Sequence, residues 1–509
     1  MSINRRKFLS RSALASGLSI PFLGAAAVPV RVAPRRMIHL VSDGMSSGTL
    51  ACADHLSKVV RGRPSRWMEL YQHPEAVSGF LDMRSLNSLV TDSAAAASAW
   101  GCGSRVVNGA LNMFPDGRKL RTLMQLFGEA GWARGLVTTT EMTHATPAGF
   151  AVNVASRNDV ANIALQYLDQ RIEVLLGGGR PHFQADRRSD GRDLMAEFRT
   201  WGYEVMHDRQ ALLDAAPRGR WLGLFANGHL PYTVDHQADP DLQSEVPTLA
   251  EMTRRALELL EERERFLLQV EGGRVDHGAH ASDAPATLFD QIAFDEALDV
   301  ALEFQRENPD TLLVVTTDHG NSNPGLNAMG SGYGRSSELL ANLKLASCSF
   351  GEIQRRLRSA AGPEARQNRT LADGRTTRDV LVTEPKVVSE VLEETVGYRV
   401  PGPLAERFAS YLAGDWQPLL GQLDSFSAQL GQLLANHFGI GWVGTTHTSD
   451  YVPLLALGPG ADRFRGFQPG TEVFRHYTGL AGIRFRNPEL PLMAESGPSA
   501  EEAERRALV

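Results

Sequence analysis

The chain has 509 residues, 42% of them hydrophobic, 22% charged and 7% aromatic, with 48 glycines and 26 prolines, which excludes collagen-like, disordered and disulfide-scaffold classes. At about 150 residues per domain, that length fits about three domains or one large α/β domain with insertions. The formal charge of −7, from 59 acidic against 52 basic residues, is well mixed and contains no basic block, so no nucleic acid is expected as a partner and an anionic substrate would need local cations or convergent Arg and Lys.

At the amino end, residues 4–10 read NRRKFLS, and an apolar run follows from Ala13 to Ala27. That run is too short and too diluted by Gly and Ser to span a bilayer, so no stable membrane span is expected. Residues 1–27 resemble a twin-arginine (Tat) export signal, with Ala25, Ala26 and Ala27 as its small-residue cleavage pattern. On that reading the Tat translocase is a partner during export, the destination is periplasmic or extracellular, and cofactors load before the folded protein leaves. A short basic-then-apolar anchor is the ordinary alternative. Cys52, Cys102 and Cys348 allow at most one disulfide, and no CxxC spacing exists, so any metal is expected on His and carboxylates.

Short apolar runs that end in Gly, Asp or His predict strands at 37–44, 135–140, 173–179, 266–273, 311–320 and 452–460. Continuous runs of this kind suit strands buried on both faces. Helical patterns lie between them at 120–131, 246–264 and 288–307, the last with Leu288, Ile292, Leu298 and Leu302 at helical spacings. The alternation predicts an α/β three-layer sandwich with a mostly parallel central sheet and helices on both faces. Ligands of such sheets bind beyond the carboxyl ends of the strands. The stretch 321–441, rich in Gly, Ser and Arg, breaks the alternation and reads as an insertion or cap of short helices and loops, set within a catalytic domain built from 28–320 and 442–490.

Polar residues collect at the predicted strand ends. Asp43 closes the first run, Glu271 closes FLLQVE, and Asp318 and His319 close TLLVVTT. GGRVDHGAH, directly after Glu271, adds Asp276, His277 and His280, and the spacing puts Asp276 and His280 on one face of a helical turn. His447, in GTTHTSDYVP, stands just before the last run. Carboxylates and imidazoles gathered along one sheet edge are unstable without cations. Singly, each residue has an ordinary reading: an N-cap for an Asp at a strand end, a turn for Asp318 and His319, a surface or core position for a lone His. The stretch 88–105 (SLVTDSAAAASAWGCGSR) changes the balance, because Ser93 opens a helix start of almost no side-chain bulk. There, unpaired amides and the helix dipole favour an anion, and the alanines permit close backbone approach. A serine N-cap on a packing helix is the ordinary reading.

The blocks VSDGM, VTDSAAAASA, THATPAGFAVNVASRND, VEGGRVDHGAH, TTDHG and GTTHTSDYVPLLALGPGA, in this order from about residue 37 to 461, resemble the alkaline phosphatase family. The resemblance implies hydrolysis of small-molecule phosphate monoesters through a phosphoserine on Ser93, with two zinc ions and usually one magnesium ion. One zinc would be held by Asp276, His280 and His447, and the second by Asp43, Asp318 and His319 beside Ser93. The magnesium site would use Asp43, Thr146 and Glu271. Nitrogen-rich sites suit zinc and an oxygen-only site suits a hard cation. Arg157 and the Ala94 amide would grip the phosphoryl oxygens, for which a planar bidentate guanidinium is better than Lys. Relatives are often dimers, so a homodimer is implied as well.

His144 stands where the best-known bacterial pattern has an aspartate near the third metal, and His277 where it has a lysine near the phosphate; both resemble the animal arrangement. The stretch after His447 reads HTSDY, not the more usual HTGEDV. Ser93 is followed by Ala95 and Ala97 and not by the Pro and Arg that sulfatases need. A phosphodiesterase of the same superfamily and a non-catalytic exported metal- or phosphate-binding protein are the alternative functions.

Overall fold

The computed structural model describes residues 33–362, 366–370 and 376–493, so the export-signal reading of 1–27 lies outside the described residues. Ten strands form the central sheet: β1 (Arg36–Ser42), β2 (Val77–Asp82), β3 (Ala133–Glu141), β4 (Val174–Gly178), β5 (Tyr203–Met206), β6 (Arg220–Leu224), β7 (Phe266–Gly272), β8 (Thr311–Thr316), β9 (Val452–Leu457) and β10 (Gly466–Pro469). Their order is β10-β2-β9-β8-β1-β7-β3-β4-β6-β5. Neighbours run parallel except where β9 lies antiparallel between β2 and β8. The mostly parallel α/β sandwich expected from the alternation is therefore the fold.

The two faces follow from the pleat. In β1, Met37 and Val41 join an apolar layer with Trp100, Phe127 and Phe150, while Ile38 and Leu40 join the opposite layer with Leu257, Phe294 and Leu298. Strands β7 and β8 are buried along their whole length, because helices cover both faces. The expected helices begin at capped positions. Thr122 and Gln125 form a capping box on Leu123–Glu129, Thr248 and Glu251 form another on Leu249–Glu261, and the third helix, Ala284–Glu307, is capped by Asp283. Four strands escaped the apolar-run criterion: β2, β5, β6 and β10 lie toward the sheet's edges or are short, and β2 alternates buried and exposed residues along VSGF.

Residues 321–441 carry longer helices than their composition suggests, among them Phe350–Ala361, Pro385–Val396, Gly402–Leu412 and Phe426–Phe438. Their apolar faces form a separate cluster that also takes in Cys52 and Leu56 from Ser47–Arg61, and Leu288 and Ile292 from Ala284–Glu307. Short two-stranded ribbons tie the insertion back: Gly320–Asn321 pairs with His447–Thr448, and Gly325–Leu326 with Ile440–Gly441. Cys52, Cys102 and Cys348 are buried free thiols, pushed up by burial to about 11, 12 and 12. Among the described residues no helix is long and apolar enough to cross a membrane.

One buried carboxyl makes stability depend on pH. Asp290 takes the Thr233 amide at 2.9 Å, and burial pushes its pKa from 3.8 up to about 7. A folded pKa above the unfolded one means stability is full below about 4 and is lost as pH rises through about 7, at most roughly 1.4 kcal/mol per pH unit. Asp290→Asn keeps the acceptor and removes the charge. Its thermal midpoint relative to the wild-type chain is therefore expected to rise between pH 5 and pH 8.5; a constant difference across that range would remove Asp290 as the cause.

Candidate metal centre

Strand register alone brings the acidic residues together. Thr316, Val41, Glu271 and Thr138 stand in one row across β8, β1, β7 and β3. Asp43 and Asp318 each lie two residues beyond that row, at the same edge of the sheet. Gly44 lets the chain turn there: its φ is +67°, and a Cβ would stand 2.3 Å from Asp276 Oδ1. The Gly44 amide donates to Asp318 Oδ1 at 3.0 Å. Strand β9 runs the other way, so His447, which precedes it, arrives where residues that follow parallel strands arrive.

Asp276 and His280 share the helix Arg274–His280, with His280 Nε2 3.3 Å from Asp276 Oδ2. His447 Nε2 lies 3.0 Å from His280 Nε2 and 3.7 Å from Asp276 Oδ1. His319 Nε2 lies 3.2 Å from Asp318 Oδ2 and 3.6 Å from Asp43 Oδ1, and its ring stacks on His447 with centroids 3.6 Å apart. Each imidazole is oriented from behind. The Nδ1–H groups of His280, His447 and His319 donate to the carbonyls of Thr445, Thr91 and Gly320 at 2.7, 2.9 and 3.3 Å. In the neutral rings this turns three Nε2 lone pairs inward, the arrangement of metal-ligating histidines.

Ser93 enters on the helix Ser93–Cys102, whose N-cap is Asp92 and not the serine: Asp92 Oδ1 accepts the Ala95 amide at 2.9 Å. The hydroxyl of Ser93 is thus free of capping duty and lies 3.3 Å from His319 Nε2. The small residues after it have a packing reason. A Cβ on Gly149 would meet Ala97 Cβ at 2.3 Å, so Gly149 lets this helix lie close against Ala145–Gly149, which carries Thr146.

Thr146 Oγ1 donates to Asp43 Oδ2 at 3.1 Å, and Thr138 and Thr140 donate to Glu271 Oε2. His144 Nδ1 stands 3.8 Å from Glu271 Oε1. Arg157 donates to His144 Nε2 at 3.0 Å and to Asp92 Oδ2 at 3.2 Å, which aims its guanidinium between the two. Because a guanidinium only donates, His144 Nε2 is the acceptor of this bond. His277 lies 5.5 Å from His144, ring to ring. All of the expected site residues are therefore within one neighbourhood.

Several contributors escaped the sequence reading. Asn321, at the start of the insertion, donates to Asp276 Oδ1 at 2.7 Å. His229 packs 4.4 Å from His277, ring to ring. It lies five residues beyond β6, a strand the apolar-run criterion does not find, so no predicted strand end marked it. Asp92 was visible in the sequence, but its reach to Arg157 was not.

The centre is buried and over-supplied with acid. Burial, followed by the charges of Asp318, Asp276 and Glu271, holds Asp43 well above the usual carboxylate range, and burial lifts Asp318 to about 7 against the pull of the Gly44 amide. Burial opposes the charge on Asp276, but the His280 imidazole outweighs it and holds that carboxyl well down. His280 is raised to about 9, burial opposing and the Asp276 charge prevailing. Asp43 Oδ1, Asp318 Oδ2, Glu271 Oε1 and His144 Nδ1 are buried without a hydrogen-bond partner. Three groups bring ligand atoms within 4.8 Å of one another among the described residues: Asp276, His319 and His447; Asp43, Asp318 and His319; Asp43, His144 and Glu271. Orphaned buried acceptors beside inward lone pairs fit divalent cations.

A sequence profile described as alkaline phosphatase matches residues 34–379. The chain is 30% identical over 394 residues to alkaline phosphatase 3 of Bacillus subtilis strain 168, covering 76% of each protein. It is 34% identical over 363 residues to streptomycin-6-phosphate phosphatase of Streptomyces griseus, covering 62% of this chain and 81% of that one. Among solved structures, it resembles the alkaline phosphatase of Thermus thermophilus with a TM-score of 0.79 and 33% identity, over 97% of this chain and 100% of the other.

Proposed function

Since the chain belongs to the alkaline phosphatase family, we propose that it hydrolyses phosphate monoesters to an alcohol and inorganic phosphate through a phosphoserine on Ser93. The observation that carries this reading is the Ser93 hydroxyl, 3.3 Å from His319 Nε2, at the first turn of a helix capped by its neighbour. Asp276, His280 and His447 would hold one zinc ion and Asp43, Asp318 and His319 a second, while Asp43, Thr146 and Glu271, beside His144, would hold a third ion, magnesium by the chemistry of its oxygens. Bound there, the cations supply the charge that offsets the phosphoryl oxygens and favours ionisation of the serine hydroxyl.

The chain's own residues do the rest. Ser93 Oγ forms a bond to phosphorus as the ester P–O bond breaks; its proton passes to solvent, and the alcohol oxygen takes one up. Water then attacks phosphorus and gives up a proton, the P–Oγ bond breaks with Ser93 Oγ taking a proton up, and inorganic phosphate leaves. Two in-line displacements return the original configuration at phosphorus. Arg157, aimed by Asp92 and His144, donates to equatorial oxygens together with the Ala94 amide. Streptomycin-6-phosphate phosphatase, by its name, acts on one such monoester, which supports the substrate class. The test is to quench zinc-loaded protein in acid during turnover of labelled nitrophenyl phosphate. Label is expected on the peptide that contains Ser93; turnover with label on another residue would overturn the reading.

Arg157→Ala is expected to raise the inhibition constant for inorganic phosphate by about tenfold to a hundredfold, the cost of losing charge-assisted hydrogen bonds, while zinc content stays unchanged. Unchanged inhibition by phosphate would remove Arg157 from that role.

A further inference from the structure

One group of side chains beside the phosphoryl site has no part in the scheme above. Arg274 precedes His277 on the helix Arg274–His280 and donates from Nη1 to His277 Nδ1 at 2.6 Å. A guanidinium has donors only, so His277 Nδ1 accepts and the neutral ring's proton sits on Nε2. Arg274 is held in turn, since its guanidinium lies over the Tyr232 ring, 3.7 Å from the centroid. On its other side His277 packs against His229, whose Nδ1 accepts the Glu141 amide at 3.0 Å. His229 is thereby fixed to the backbone of β3. A flipped His277 ring would strand the Arg274 donor.

From this geometry we propose that Arg274 is a positioning residue: it fixes the tautomer and ring orientation of His277, so that His277 presents an Nε2–H donor to the phosphoryl group gripped by Arg157. This rests on the phosphatase reading for the ligand, but the tautomer itself is a property of the resting protein. It also accounts for Tyr232, over which Arg274 lies, and for His229, which packs against His277 and, ring to ring at 5.7 Å, against His144.

The test is a double-mutant cycle on the full-length, zinc-loaded protein, with inorganic phosphate as inhibitor, combined with nitrogen-15 NMR of its histidines. Arg274→Gln and His277→Ala are each expected to raise the phosphate inhibition constant by about tenfold, the effect of one buried hydrogen bond. The double variant is expected to equal His277→Ala alone, and Arg274→Lys, which keeps a donor, to recover part of the loss. The His277 signals, assigned by their absence in His277→Ala, are expected to show the proton on Nε2. If Arg274→Gln weakens phosphate equally with and without His277, Arg274 acts on its own and the inference is overturned. A proton on His277 Nδ1 in the wild-type chain overturns it too, including the case where Arg274→Gln fails to fold. A wild-type protein that hydrolyses no monoester would defeat the phosphatase reading, whereas the NMR result would still decide the role of Arg274.

Discussion

Ser93→Ala is expected to lower monoester turnover by on the order of ten-thousandfold or more while zinc content and folding stay nearly as they were. The separation is possible because the two jobs at the start of this helix fall on different residues. Asp92 takes the Ala95 amide and the Arg157 guanidinium, so the cap survives loss of the serine. Alanine fits a segment already composed of Ala94, Ala95, Ala96 and Ala97, all buried, and a fully buried serine loses only its hydroxyl. The stability change should therefore stay within about 1 kcal/mol. Turnover of nitrophenyl phosphate, acid-stable label and zinc per chain, measured on one preparation, check all three statements. Label retained by the variant would make another residue the nucleophile.

Exhaustive chelation is expected to abolish activity and to lower the thermal midpoint by on the order of ten degrees, because a ligand present at about a thousand times its dissociation constant stabilises by roughly 4 kcal/mol per site. The reason lies in the carboxylates. Asp43, Glu271, Asp276 and Asp318 are buried at one sheet edge, and three imidazole Nε2 atoms face them, offering lone pairs when the rings are neutral. Without cations that cluster relieves its repulsion by taking up protons or by opening. Zinc added back should restore most of the activity. Recovery with calcium alone, or activity that survives chelation, would place the chemistry outside this centre.

Legibility differed between elements for physical reasons. Strands β1, β7 and β8, buried on both faces, announce themselves as unbroken apolar runs, and their polar terminations at Asp43, Glu271, Asp318 and His319 point to the functional edge of the sheet. The helix Arg274–His280 was legible from spacing, because residues four apart share a face whatever surrounds them. Strands β2 and β10 were not, since a strand at or next to the sheet's edge with a solvent-facing side lacks the run. The helices of 321–441 escaped because their apolar faces pair with one another and with Ser47–Arg61, contacts that no single segment displays.

Residue order along the chain was enough to identify the acids, the imidazoles and the serine, because strand ends and helical turns are local properties. Their convergence was not. His447 belongs to the centre only because β9 runs antiparallel to β8, which reverses which end of the strand meets the others. The inward nitrogens of His280 and His447 exist only because carbonyls of Thr445 and Thr91, 165 and 356 residues away, accept the opposite N–H, whereas His319 uses the carbonyl of its neighbour Gly320. Strand direction and second-partner hydrogen bonds are settled by packing between distant segments, and such packing comes into being only when the chain is folded.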